Sequence, residues 1–274
     1  MSWPRAFRGS RVDQIASVAA TGKLLDIPSA ASANTKGSWV QLTASAPFAS
    51  AGFFVGFGNG DASTDLLVDI GVGAAGSEQV VVSNILVSIG SGFASSATDV
   101  FFPLAVAEGQ RLAARCQASA ANGDIDMGLQ LCAGDFFSQL GLGRATTYGA
   151  NTADSGGVSV DPGAVANTKG AWSEISASIT NPIRYMLICI GGQANAVMTS
   201  SFNLLDIGMG AAGSEQVVVD DLYLVAADNV DYYLPGMIGR PVSVASGQRL
   251  AARKQCSTTD ATDRLNDIVI IGFD

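Results

Sequence analysis

Residues 206–219 read Asp-Ile-Gly-Met-Gly-Ala-Ala-Gly-Ser-Glu-Gln-Val-Val-Val, and residues 69–82 carry the same phrase with Val72 in place of Met209. Self-similarity on this scale outranks other fold signals, and the chain reads as a tandem duplication. Two further phrases recur in the same order. Ala-Asn-Thr-Lys-Gly-Ser-Trp at 33–39 returns at 166–172 with Ala171 for Ser38, an offset of 133. Gly-Gln-Arg-Leu-Ala-Ala-Arg at 109–115 returns unchanged at 247–253, an offset of 138, against 137 for the opening phrase. The second copy is therefore longer, and most of its extra residues fall between the repeated Trp and the repeated Asp, in what must be loops.

Short runs rich in Val, Ile, Leu and Phe, bounded by Gly, Ser, Asn and Asp, fill both copies. In the first they lie at 39–45, 53–57, 66–70, 79–87, 100–106, 111–117 and 125–131. In the second they lie at 172–179, 185–190, 202–207, 216–225, 242–244, 249–255 and 267–271. Strands this short and this frequent predict an all-β fold with almost no helix, built as two β-sandwich, jelly-roll-like modules. The expected organisation is an N-terminal arm over 1–32, a first module over 33–137, a linker over 138–165 and a second module over 166–274. Asp161-Pro162-Gly163 marks a turn inside the linker, since Pro presets φ and Gly accepts a positive one. A connection of this length is expected to lie against a module or a neighbouring subunit.

Composition narrows the function classes. Only 14% of the 274 residues are charged, while 48% are hydrophobic, so the chain can pack and is not a disordered polyelectrolyte. The net charge of −9 opposes binding to a phosphate backbone, and no nucleic-acid partner is expected. The sequence contains no histidine, which removes the commonest general base and transition-metal ligand. Cys116, Cys132, Cys189 and Cys256 never coincide between the copies: Cys116 faces Lys254, Cys132 faces Ile270 and Cys256 faces Ala118. A duplicated disulfide framework would appear twice, so these read as free, buried thiols of a protein made in a reducing cytoplasm. Residues 1–8 lack the apolar run of a secretory signal, and no stretch of roughly 18 apolar residues offers a membrane span.

The arm is locally basic. Trp3, Arg5, Arg8 and Arg11 are its candidate partner contacts, suited to an acidic neighbour or to threading between subunits, and a partly ordered terminus is the plainer alternative. Arg111 and Arg115, and again Arg249 and Arg253, share one face of a strand because side chains alternate. They fit either an acidic sugar or an ion-paired face completed by Glu78 and Glu215. Asn59, Asp61, Ser63 and Asp65 alternate like calcium ligands, but Ile70 stands where the closing Glu would be. Gly71, Gly73 and Gly76 have dinucleotide-loop spacing, yet a Val run follows instead of a helix, so they predict a hairpin turn. Trp39 and Trp172 could stack on a sugar or anchor the core. The carboxylate pairs Asp61 with Asp65 and Asp124 with Asp126 do not recur as pairs. No catalytic, cofactor or metal residue is assigned, and the protein is expected not to be an enzyme.

The three repeated phrases, with the Pro that follows Phe101-Phe102 and the joining segment 153–163, resemble a repeated β module of tailed-bacteriophage virion proteins of the fibre, spike or decoration type. The likeness covers about 33–137 and 166–274. It implies a structural component of a phage particle, a capsid decoration, fibre or tail appendage, anchored through its N-terminal arm, and it brings no catalytic residues with it. The implied partners are other virion proteins and further copies of the chain, with a trimer suited to an appendage. The implied location is the virion, assembled in the host cytoplasm. A carbohydrate-binding module for host attachment, recognising a surface glycan, is the alternative.

Overall fold

A computed structural model describes residues 11–16, 24–58, 64–89, 100–134, 142–192, 201–226, 233–234, 236–258 and 265–274. No helix occurs among the described residues. The first half supplies β1 (Arg11–Gln14), β2 (Leu25–Pro28), β3 (Val40–Thr43), β4 (Gly52–Phe57), β5 (Thr64–Val72), β6 (Gln79–Ile89), β7 (Val100–Phe102), β8 (Leu112–Ala118) and β9 (Asp124–Ala133). The second half supplies β10 (Ala145–Tyr148), β11 (Val158–Val160), β12 (Ser173–Ser176), β13 (Ile183–Gly192), β14 (Ser201–Met209), β15 (Gln216–Ala226), β16 (Tyr233–Leu234), β17 (Met237–Val244), β18 (Leu250–Cys256) and β19 (Asn266–Phe273).

The strands form four antiparallel sheets in two pairs. In the first half one sheet runs β1-β9-β4-β7 with β2 also on β9, and the other runs β3-β8-β5-β6. In the second half the orders are β10-β19-β13-β17 with β11 also on β19, and β12-β18-β14-β15-β16. Lettering the first-half strands B to I from β2 to β9 gives sheets B-I-D-G and C-H-E-F, the order of an eight-stranded jelly roll. The second half has the same order, with β16 added at an edge.

Alternation builds each sandwich. Leu66, Val68 and Ile70 of β5 and Phe53, Val55 and Phe57 of β4 point between the sheets and are buried. Burial of such side chains contributes roughly 1.5–3 kcal/mol each. Phe53 stacks on Phe102 at 5.5 Å across β4 and β7, inside the first core.

The segments read as an arm and a linker include strands of the sheets. Arg11–Gln14 pairs with 130–133 of β9, and Leu25–Pro28 with 124–127, so β1 and β2 form one edge strand interrupted by an excursion. Ala145–Tyr148 and Val158–Val160 repeat this on β19. Ile27 and Val160, at the same place in the two modules, are each fully buried. The two segments are therefore the same part of two modules, at the offset of 133. Carrying that offset across the sheet sets Ile125 against Asn266 and Cys132 against Phe273. The pairing of Cys132 with Ile270 is thereby corrected, because further extra residues lie between β18 and β19.

The modules pack sheet against sheet. The outer face of β5 and β6 meets the outer face of β13 and β19, and Leu187, Cys189, Val269, Ile271 and Phe273 join the first module's core. This explains why β13 and β19 are so uniformly apolar: both of their faces are covered. Ser83 and Thr147 hydrogen-bond across the junction, and the Gly192 N–H donates to Ser88 Oγ at 3.3 Å.

Candidate functional site

The three repeated phrases converge on one polar cluster in each module. Asp69 on β5 is buried, and its carboxylate accepts from Lys36 Nζ at 2.8 Å, Arg115 Nε at 2.9 Å and the backbone N–H of Asn84 at 2.9 Å. In the second module Asp206 accepts from Lys169 Nζ at 2.5 Å, Arg253 Nε at 2.9 Å and the Asp221 N–H at 3.0 Å. Asn84 and Asp221 have φ of 53° and 45°, a left-handed backbone at the register shift beside Ile70 and Ile207. The buried carboxylate thus holds a bulge on the adjacent strand and two cations at once. Each lysine also reaches a strand carbonyl, Leu67 at 2.8 Å and Leu204 at 3.2 Å.

The tryptophans complete the cluster from outside. The Arg115 guanidinium lies 4.6 Å above the Trp39 ring and that of Arg253 4.5 Å above Trp172. Each ring also presses on a strand glycine, where a Cβ at Gly71 would come within 2.8 Å of Trp39 and one at Gly208 within 2.6 Å of Trp172. Trp39 and Trp172 are half-buried on the outer sheet face, so they are not anchors between the sheets. With one face under a guanidinium and an edge on a glycine, the rings are committed within the module.

The outer arginines are ion-paired as the sequence reading allowed. Arg111 donates to Glu78 at 2.8 Å and to Gln41 at 3.1 Å, while Arg249 donates to Glu215 at 2.8 Å and Glu174 at 2.7 Å. Burial pushes the Glu78 and Glu215 carboxyls up, but hydrogen bonds from the backbone and the arginine outweigh it and hold both below the usual range. Asp206 is likewise held low against burial by Lys169, the Asp221 N–H and Arg253. Burial, opposed by Asp69, lowers the Lys36 ammonium.

The other candidates are placed as follows. Trp3, Arg5 and Arg8 lie outside the described residues, as do Asn59, Asp61 and Ser63. Arg11 pairs with Asp13 at 2.5 Å and lies 4.2 Å over the Phe48 ring, inside its own module. Asp65 is buried at the module junction, and Asp124 and Asp126 alternate with buried Ile125 and Met127 on the outer face of β9. Gly73 and Gly210, with φ of 115° and 109°, lie in the β5–β6 and β14–β15 hairpin turns, as the sequence predicted. The carboxylates of Asp206, Asp220 and Asp221 lie close enough to share a cation, and Lys169 already pairs with Asp206 and Asp221.

All four cysteines are free and buried. Burial pushes the Cys116 and Cys189 thiols up to about 12 and the Cys132 thiol up to about 11, so they stay protonated and unreactive.

A second polar cluster fastens the modules together. Ser155, fully buried at φ 62°, donates to Asn34 Oδ1 at 2.8 Å and accepts from Gln117 Nε2 at 3.0 Å. Two residues on, the Gly157 N–H donates to Asp267 at 3.0 Å. Burial, reinforced by the charge of Asp154, pushes the Asp267 carboxyl up to about 6.

The sequence reading nominated neither Lys36, Lys169, Asp69 nor Asp206, although all four sit in repeated phrases. It also missed Phe202 and Tyr223, which stack at 6.1 Å and 15° on the outer face of β14 and β15 and are 57% and 53% exposed.

No family model matches the chain, and no curated protein matches it. Among solved structures it is similar to PNGase F, a glycosylasparaginase from Flavobacterium meningosepticum, at 8% identity and a TM-score of 0.40 over 96% of each chain. A likeness that weak carries no argument about activity.

Proposed function

We propose that this protein is a non-enzymatic structural component of a bacteriophage particle, a capsid decoration, fibre or tail appendage, assembled into the virion in the host cytoplasm. One observation carries the reading. The charged residues of the three repeated phrases are ion-paired within their own modules, so what repeats reads as the framework of a building block and not as a reactive site. The phage-module resemblance of those phrases adds to it.

Anchoring is assigned to residues 1–10 and no longer to the whole arm, because 11–14 and 25–28 are sheet strands. Quantitative mass spectrometry of density-purified particles tests the proposal: the protein should be present at a fixed copy number, and its absence would sink the reading. Deleting residues 1–10 should leave the melting temperature unchanged and abolish incorporation.

A second reading, glycan attachment, draws on the exposed stack of Phe202 and Tyr223, since paired aromatics on a β-sandwich face can hold a sugar ring. Glycan-array binding lost on Tyr223→Ala would favour it.

A further inference from the structure

The two cores are not equally apolar. In the first module Leu66 of β5, Cys116 of β8 and Ile125 of β9 are fully buried members of the core. In the second module the equivalent positions hold Asn203 of β14, Lys254 of β18 and Asn266 of β19, each no more than 1% exposed. All three point between the sheets. Lys254 stands directly opposite Leu205, a member of the second core, and Asn203 is its diagonal neighbour on the same face. Asn266 alternates in step with the core residues Ile268 and Ile270. The first module shows that this fold closes without any polar group at these places.

The lysine and one asparagine meet. Lys254 Nζ donates to Asn266 Oδ1 across the gap between the sheets, since β18 and β19 belong to opposite layers of the sandwich. Asn266 Nδ2 donates in turn to the Gly191 carbonyl at 3.1 Å, which fixes the amide with its carbonyl toward the lysine. Asn203 Oδ1 is buried with no hydrogen-bond partner among the described residues. A cationic and amide cluster in a core costs stability unless every polar atom is served. Desolvation is also what makes a lysine amine nucleophilic, and holding it against a carbonyl carbon replaces a chance encounter.

We propose that Lys254 and Asn266 are the partners of an intramolecular isopeptide bond, which the folded protein forms on itself and which staples the two sheets of the second module. The unprotonated amine adds to Asn266 Cγ and forms the Nζ–Cγ bond. The Cγ–Nδ2 bond then breaks, and Nδ2 leaves as ammonia with a proton that Nζ gives up. No oxidant, metal or second substrate enters. The product is a secondary amide with one N–H, in place of an ammonium with three and a carboxamide with two. The first module, with Cys116 and Ile125 at these positions, cannot form the bond. The inference does not rest on the virion reading: a cross-linked chain absent from particles, or an unlinked one inside them, separates the two.

The intact mass of the full chain tests it, measured after denaturation on protein held at neutral pH until its mass is constant. The expected mass is one ammonia below that required by the sequence. A tryptic map should show a branched peptide in which Lys254 is uncut and joined to Asn266. Lys254→Met and Asn266→Leu, each apolar like its counterpart in the first module, should each restore the full sequence mass. A full sequence mass for the unchanged chain would overturn the proposal. So would a deficit that persists in Lys254→Met, or a map that releases Lys254 and Asn266 in separate peptides, because cyclisation of an asparagine such as Asn122 before Gly123 also loses ammonia. If a variant fails to fold, the mass and map of the unchanged chain decide by themselves.

Discussion

Leu86 and Tyr223 occupy the same place on the same strand in two modules of one order, yet Leu86 is buried and Tyr223 is 53% exposed. The difference lies outside the module: one outer sheet face has a neighbour and the other does not. Farther along the same strands the two modules agree closely, down to a carboxylate held between a lysine and an arginine and a Trp ring stacked on that arginine. The shared cluster makes the block stable, and the residues that differ on the outer faces decide what the block joins.

The largest test of the shared cluster is its buried carboxylate. Asp69→Ala leaves Lys36 and Arg115 without their charge partner and should cost about 3–5 kcal/mol in urea unfolding. Asp206→Ala should cost about half as much, because Asp221 still holds Lys169 at 2.7 Å. Equal losses would show that Asp221 contributes nothing. Next, Leu86→Ala should cost about 2–5 kcal/mol through the cavity it opens at the junction. Tyr223→Ala should stay within about 0.5 kcal/mol in the monomer; similar losses at both sites would erase the contrast between the faces.

A smaller effect concerns Asp267, which holds the Gly157 N–H two residues from Ser155. With its carboxyl raised to about 6, folded Asp267 binds a proton that the unfolded chain has already released. Stability from this group is full below the ordinary aspartate pKa and is lost as pH rises through about 6. Asp267→Asn should therefore gain about 1–3 kcal/mol near neutral pH and nothing below about pH 3.5, measured by thermal melts across pH. A loss at neutral pH would mean that the Gly157 hydrogen bond outweighs burial. The smallest effect is Glu174→Gln, which gives Arg249 the amide partner that Arg111 has in Gln41. It should cost about 0.5 kcal/mol or less and fade with salt, since Glu174 is 50% exposed.

Much of this was legible in the residues. All fourteen runs named from apolar composition fall on strands or strand-like bridges, and the repeated phrases located the hairpins and the ion-paired arginines. The missed strands have physical reasons. β1 is Arg-Val-Asp-Gln and β10 is Ala-Thr-Thr-Tyr, four residues each, paired on one side only, so neither needs an apolar pattern. The junction left a sign that went unused. In β9 the residues between the buried ones are Asp, Gly and Gln, whereas in β19 Val269, Ile271 and Phe273 continue the apolar run. Loss of period two in one copy of a repeat marks a strand covered on both faces. Asp69 and Asp206 were hidden because a single repeated Asp looks like a turn residue until its partners, about thirty and fifty positions away in sequence, are brought to it.

In each jelly roll the strand that comes last, β9 or β19, lies between the edge pair that comes first and β4 or β13. Neither B-I-D-G sheet can close until its final strand has been made, however early its other strands are available. Pairing the beginning of a unit with its end gives high contact order, which slows folding relative to locally wired folds. While the chain is being made, β4 waits with an unpaired edge until residues 124–133 arrive, and β13 waits again until 266–273 do. The interval between those arrivals gives the first module time to close before the second completes, so the junction face on β5 and β6 can be in place when β13 and β19 come to cover it.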